Sequence, residues 1–117
     1  MCGIVGIYLK NKKYHKDLGK FLSGMMNNMA TRGPDSAGFA IYSSEKKNKF
    51  KYSVCFTNIN SSELKKNLLK KIKDAKIKIV SDHIIIETSL NSSKVLNIIN
   101  KFENLSLVGY GNSIEIF

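Results

Sequence analysis

Arginine, proline, cysteine and acidic residues are all scarce in this chain, and each shortage excludes something. Among 117 residues there is one arginine, Arg32, and one proline, Pro34, while 19 basic side chains face only 9 acidic ones, for a formal charge of +10. A nucleic-acid partner is the first reading such a charge invites. Base-edge and phosphate recognition, however, lean on arginine forks and stacking aromatics, and the lysine-rich stretch 63–78 contains no aromatic residue. A solvated basic face explains the charge better, and no nucleic-acid partner is expected. Two cysteines, Cys2 and Cys55, do not make a disulfide framework. No apolar run reaches the roughly 18 residues that a membrane span needs, and no signal-peptide pattern precedes the first residues. The expected address is the cytoplasm, with no membrane partner. A hydrophobic content of 43% argues against disorder, and one domain is the default at this length.

What the chain does have is placed with care. Cys2 follows the initiator Met1 and opens the run Cys2-Gly3-Ile4-Val5-Gly6-Ile7-Tyr8. With Met1 removed, one residue carries both a thiol and a free α-amino group, a nucleophile and a base. Their ordinary pKa values, about 8.5 and about 8, lie close enough for the amine to take the thiol's proton after modest local shifts. About thirty residues later comes Arg32-Gly33-Pro34-Asp35-Ser36-Ala37-Gly38. In a chain that otherwise uses lysine, an arginine here supplies a planar fork that lysine cannot copy, suited to holding a chain terminus. A surface arginine favoured by a helix C-terminus is the plainer alternative.

These two blocks together resemble the class II glutamine amidotransferases, the N-terminal nucleophile type found in glutamate synthase, amidophosphoribosyltransferase, glucosamine-6-phosphate synthase and asparagine synthetase. The Asp35-Ser36-Ala37-Gly38 ending points to the glutamate synthase side, and the tail Ser113-Ile114-Glu115-Ile116-Phe117 resembles a stretch that precedes the next catalytic block in such subunits. The resemblance implies that Cys2 attacks the side-chain amide of L-glutamine, forms a γ-glutamyl thioester and releases ammonia to a synthase subunit that accepts it. It implies that Arg32 orients Cys2, with Gly33, Asp35 and Ser36 supporting the pair; for Asp35 and Ser36 ordinary turn chemistry is an equal alternative. No cofactor and no metal is implied. The family's His-Thr-Arg-like block, Asn-Gly oxyanion pair and substrate-binding Asp do not follow residue 38, so the chain reads as one partial type 2 glutamine amidotransferase domain, inactive alone. Its fold class would be α/β (α+β): the front of an N-terminal nucleophile hydrolase αββα layered sandwich over residues 1–49, with a βαββαβ ferredoxin-like insert over 50–109.

Periodicity fills in the elements. Residues 3–9 read as a buried strand headed by Cys2. After a lysine-rich turn at 10–16, Leu18, Phe21, Leu22, Met25, Met26 and Met29 repeat at helical spacing and read as a core stripe. The helix ends near Thr31, and Gly33-Pro34-Asp35 is a turn. Residues 38–43 and 50–56 read as two strands of a hairpin with a polar loop at 45–49, the second presenting Phe50, Tyr52, Val54 and Phe56 on one face. Asn60 or Ser61 caps a helix whose apolar side is Leu64, Leu68, Leu69 and Ile72. Strands at 76–80 and 83–88 flank the turn Ser81-Asp82, a helix carries Val95, Ile98, Ile99 and Phe102, and a last strand runs over 104–108. This is the order of the split βαβ motif.

Other candidates read as bland. His15 and His83 have no Cys or His at metal-ligand spacing, and Cys55 reads as an ordinary free thiol. Gly109-Tyr110-Gly111 is too short for a phosphate-binding fingerprint. Two other classes of function stay in view: a module of the same fold that senses a ligand or docks a subunit without cleaving glutamine, and a basic binding module.

Overall fold

Alternating apolar residues make the centre of the sheet. In Phe50–Phe56 (β2) and His83–Thr88 (β4), paired antiparallel with Tyr52 opposite Ile86 and Val54 opposite Ile84, these four side chains leave the sheet on one face and are fully buried. Lys76–Val80 (β3) pairs with β4, and Leu105–Gly111 (β5) pairs with the other edge of β2, giving an antiparallel sheet of order β3-β4-β2-β5. Two helices cover the apolar face: Ser61–Lys71 (α2) and Ser92–Ile99 (α3). Leu64 and Leu68 of α2, Ile72 just after it, and Val95 and Ile99 of α3 join Tyr52, Val54, Phe56, Ile84 and Ile86 in one core. Strand, helix, strand, strand, helix, strand follow in the expected order, and the fold is of mixed α and β structure.

The structure, a computed structural model, describes residues 3–117, so Met1 and Cys2 lie outside the described residues. It divides into two units: the chain up to Ala37, and Gly38–Phe117. Among the described residues no helix is long and apolar enough to cross a membrane.

In the second unit, α2 begins where expected. The Asn60 side chain accepts from the backbone N–H of Ser62 at 3.0 Å and of Glu63 at 3.2 Å, which satisfies two otherwise unpaired donors of the first turn. Leu69, expected on the apolar side, is exposed. Leu64, Leu68 and Ile72 already form a row at intervals of four, and Leu69 is turned a further step around the helix.

The expected hairpin between residues 38–43 and 50–56 does not form. Ala40–Tyr42 (β1) pairs instead with Ile114–Ile116 (β6), antiparallel, Ile41 opposite Glu115. The reason is that β2 has both edges occupied, by β4 and by β5, leaving no backbone donors for a third neighbour. The last strand also runs further than expected, to Gly111. Gly109 and Gly111 are where β6 folds over the sheet: a Cβ at Gly109 would stand 2.6 Å from Ile116 Cδ1, and one at Gly111 would stand 2.8 Å from Ile114 Cγ2. Close backbone approach is one meaning of a strand glycine.

The face of the sheet opposite the helices is polar but covered. Lys51 Nζ donates to Glu115 Oε1 at 2.6 Å and to Ser43 Oγ at 2.8 Å, Lys78 Nζ donates to Glu115 Oε2 at 3.1 Å, and the backbone N–H of Ile116 donates to Ser53 Oγ at 2.7 Å. Lys46 Nζ reaches Glu87 Oε2 at 2.6 Å. The contacts of Glu115 and Ile116 fasten β6 to the sheet.

Asp74 ties the turn before β3 to the end of β4. Its carboxylate accepts from Thr88 Oγ1 at 2.5 Å and from the Ser89 backbone N–H and Oγ at 2.8 and 2.7 Å. The Thr88 bond first, then those from Ser89, hold its pKa at about 2, below the ordinary 3.8. A depressed folded-state pKa means stability present above the ordinary value and lost as pH falls through the lowered one. Asp74→Asn is therefore expected to cost about 1 kcal/mol at neutral pH, the low end for bonds to a charged acceptor because the group is solvent-exposed. The cost should shrink between pH about 4 and about 2, as chemical denaturation at a series of pH values would show.

In the first unit, residues 3–9 are not a strand. The alternation survives, with Val5, Ile7 and Leu9 half-buried while Ile4 is 94% and Tyr8 84% exposed. A strand exists only where a neighbour completes its hydrogen bonds, and among the described residues none pairs with this segment. The helix expected after it is present: a 3₁₀ turn over Lys12–Asp17 leads into Leu18–Met29 (α1), and a second 3₁₀ turn over Ala30–Arg32 ends it. Its stripe is half-buried rather than core, with Phe21 exposed. A helix face becomes core only under an opposing layer, and no residue of α1 is buried.

Candidate active site

The two motif blocks meet at the end of α1. Asn11 starts the helical segment, its side chain accepting from the Lys13 N–H at 2.9 Å, and the His15 ring Nε2 bonds the Leu9 carbonyl at 3.0 Å, tying the extended segment to the first turn. His15 is thus an exposed, hydrogen-bonded histidine. At the other end, the helical backbone stops at Arg32 and Gly33 takes φ −148° and ψ 74°, as the residue before a proline is driven away from the helical region. Pro34 is followed by a bend at Asp35.

Gly3 lies against this terminus. A Cβ built there would stand 3.6 Å from Arg32 Cβ and 3.8 Å from Met29 Cβ, and would collide with Met29 Cε. The backbone immediately after Cys2 therefore runs close to the stem of Arg32, with room for a side chain at Gly3 only if the Met29 terminal methyl moves aside. Cys2 itself, the proposed nucleophile, lies outside the described residues. Arg32 is exposed, Gly33 is half-buried, and Asp35 and Ser36 are exposed. Among the described residues no hydrogen bond or ion pair joins Arg32 to Asp35 or Ser36. So the structure brings Gly3 to Arg32, with Gly33 next to it in the chain, and leaves Asp35 and Ser36 in the following bend.

In the second unit an open depression of about 460 Å³ lies beside Lys46, Lys47, Lys49, Phe50 and Asn112. Two of these lysines face Glu87, at 2.6 and 4.0 Å, so the depression is not a free cationic pocket. A second grouping escaped the sequence reading. Cys55, Asp82 and His83 each offer one atom to a cluster whose members lie within 4.8 Å of one another. Spacing along the chain gave no hint of it; the signal was the strand order, which sets the end of β2 beside the start of β4.

Comparison with known proteins finds relatives whose names refer to glutamine amidotransferases. Over its whole length it is similar to the glutamine amidotransferase-like protein GlxB of Rhizobium meliloti (strain 1021), 33% identical over 123 aligned residues, and it spans 40% of that protein. Over 36% of its length it is 50% identical to a putative glutamine amidotransferase of Methanothermobacter thermautotrophicus, of which the match covers 13%. The chain thus spans well under half the length of these curated relatives. No family model matches it, and no solved structure matches it.

Proposed function

We propose that the chain is the front part of a class II glutamine amidotransferase of the glutamate synthase-like kind, acting in the cytoplasm, where a reducing environment keeps a thiol usable. Its domain would be of the N-terminal nucleophile type, with residues 1–49 carrying the nucleophile region, 50–109 a ferredoxin-like insert, and the oxyanion and substrate-binding groups supplied by residues outside 1–117. The substrate is L-glutamine and the partner a synthase subunit that accepts ammonia. The observation that carries this reading is the close approach of Gly3 to Arg32, where a Cβ built on Gly3 would stand 3.6 Å from Arg32 Cβ. The names of the two relatives support the broader activity.

In the proposed reaction the α-amino group of Cys2 takes the thiol proton and the thiolate adds to the glutamine side-chain carbonyl carbon. The tetrahedral intermediate collapses by breaking the carbon–nitrogen bond, and the amide nitrogen leaves as ammonia with the proton the amine held. Water then cleaves the thioester, giving glutamate and the free thiol. Arg32 is a positioning residue in this scheme: its fork orients the terminus that the nucleophile occupies.

Arg32→Lys tests that role, since it keeps the charge and removes the fork. The rate at which a glutamine-like diazoketone alkylates Cys2, followed by intact mass, is expected to fall about a hundredfold, as a misplacement of about 1 Å can produce. Thermal stability should not change, because the side chain is exposed. An unchanged alkylation rate would remove Arg32 from the site.

A further inference from the structure

Cys55 stands directly opposite His83 in the β2–β4 ladder, so both side chains leave the sheet on the same face, their Cβ atoms roughly 5 Å apart as cross-strand neighbours are. Asp82 is delivered to the same place by the turn between β3 and β4. That turn holds Ser81 at φ 53°, a left-handed conformation that a non-glycine residue keeps only where its surroundings impose it. The Phe56 backbone N–H donates to the Asp82 carbonyl at 2.8 Å and joins the turn to the end of β2. Asp82 Oδ1 then lies 2.8 Å from His83 Nδ1, and the donor atoms of all three residues lie within 4.8 Å of one another.

We propose that Cys55, Asp82 and His83 form a binding site for one borderline-soft divalent cation of the zinc type. Thiolate, imidazole and carboxylate are the ligand types zinc takes, and three protein ligands leave a further position for water. On coordination the Cys55 thiol releases its proton to solvent while the His83 ring stays neutral. The ligands then carry two negative charges, matching the ion. At zinc bond lengths the ligand atoms of a tetrahedron are about 3.3–3.8 Å apart, so side-chain rotation suffices to close the cluster and to open the Asp82–His83 hydrogen bond.

Access and charge also suit an ion. The His83 side chain is 16% exposed and that of Asp82 62% exposed, so Asp82 marks the solvent side and Cys55, half-buried, the inner one. Phe117 packs against the His83 ring, centroids 5.9 Å apart, and walls the site. The Lys78 ammonium lies over the Phe117 ring, 5.8 Å from its centre, and is engaged by Glu115 at 3.1 Å. The sheet ladder gives the rigid support that a metal site needs. No residue is shared with the Cys2–Arg32 region, so either reading stands if the other fails.

The test uses the full chain with Cys2→Ala, which removes the other thiol. Titration with Co²⁺ should give a thiolate-to-cobalt charge-transfer band that saturates at one ion per chain and is displaced by Zn²⁺. Cys55→Ser should abolish the band, and it and His83→Gln should each weaken zinc binding at least about a hundredfold, beyond the effect typical of residues that merely support a ligand. Asp82→Asn, at an exposed position, should weaken it at least about tenfold and reduce the zinc-dependent rise in melting temperature. Circular dichroism checks that each variant is folded. Absence of the band, or unchanged zinc affinity in any of the three variants, would overturn the site.

Discussion

Cys2→Ala is expected to reduce ammonia release from glutamine to the uncatalysed background, a loss on the order of 10⁴-fold or more, as for removal of a covalent nucleophile. The assay belongs on the gene product at its natural length, since the proposal places the oxyanion and substrate groups outside residues 1–117. Within residues 1–117 the other cysteine is Cys55, which is paired across the sheet with His83 and Ser106. Cys55→Ser should accordingly leave glutamine hydrolysis at the level of the unsubstituted protein. Loss of hydrolysis in Cys55→Ser with retention in Cys2→Ala would reverse the assignment.

The largest expected stability change falls on the far face of the sheet. Glu115→Gln should destabilise the fold by about 3 kcal/mol, because it leaves the Lys51 ammonium without its counter-charge where only 8% of the lysine side chain is exposed. Burial alone would push the Glu115 carboxyl up, but the hydrogen bonds from Lys51 and Lys78 outweigh it and hold its pKa below the ordinary range. Its contribution is thus complete above the ordinary carboxylate range and is lost as pH falls through the lowered value. Glu115→Gln should lack that acid-side loss. Lys51→Met together with Glu115→Gln should recover part of the stability, since a buried pair replaced as a whole is often close to neutral. Denaturant midpoints for the two single variants and the double variant give the coupling. Additive losses would mean that the two groups do not interact.

Local pattern accounts for much of the second unit and little of the first. β2, β3 and β4 stand at the residues expected from alternation and the Ser81-Asp82 turn, and Asn60 caps α2 as its side chain allows. Those features are decided within a few residues of chain. The choice of partner is not: β1 joins β6, more than seventy positions away, because both edges of β2 are filled by other strands. Gly109 and Gly111, too short a step for a phosphate-binding fingerprint, provide clearance for Ile116 and Ile114 of the crossing strand. Residues 3–9 kept the alternation of a strand without a neighbour to make them one, and the α1 stripe kept its periodicity without a layer to bury it. At the candidate sites, the approach of Gly3 to Arg32 follows the pairing of the two motif blocks. The Cys55–Asp82–His83 cluster needed the strand register, since positions 55 and 83 meet only across the ladder.

Intact mass of the mature protein, before and after a glutamine-like diazoketone, tests the proposed chemistry most directly. The account predicts a chain without Met1 that gains one covalent adduct, mapped to Cys2 and absent from Cys2→Ala. A mature protein that still begins with Met1, or an adduct that persists in Cys2→Ala, would contradict it.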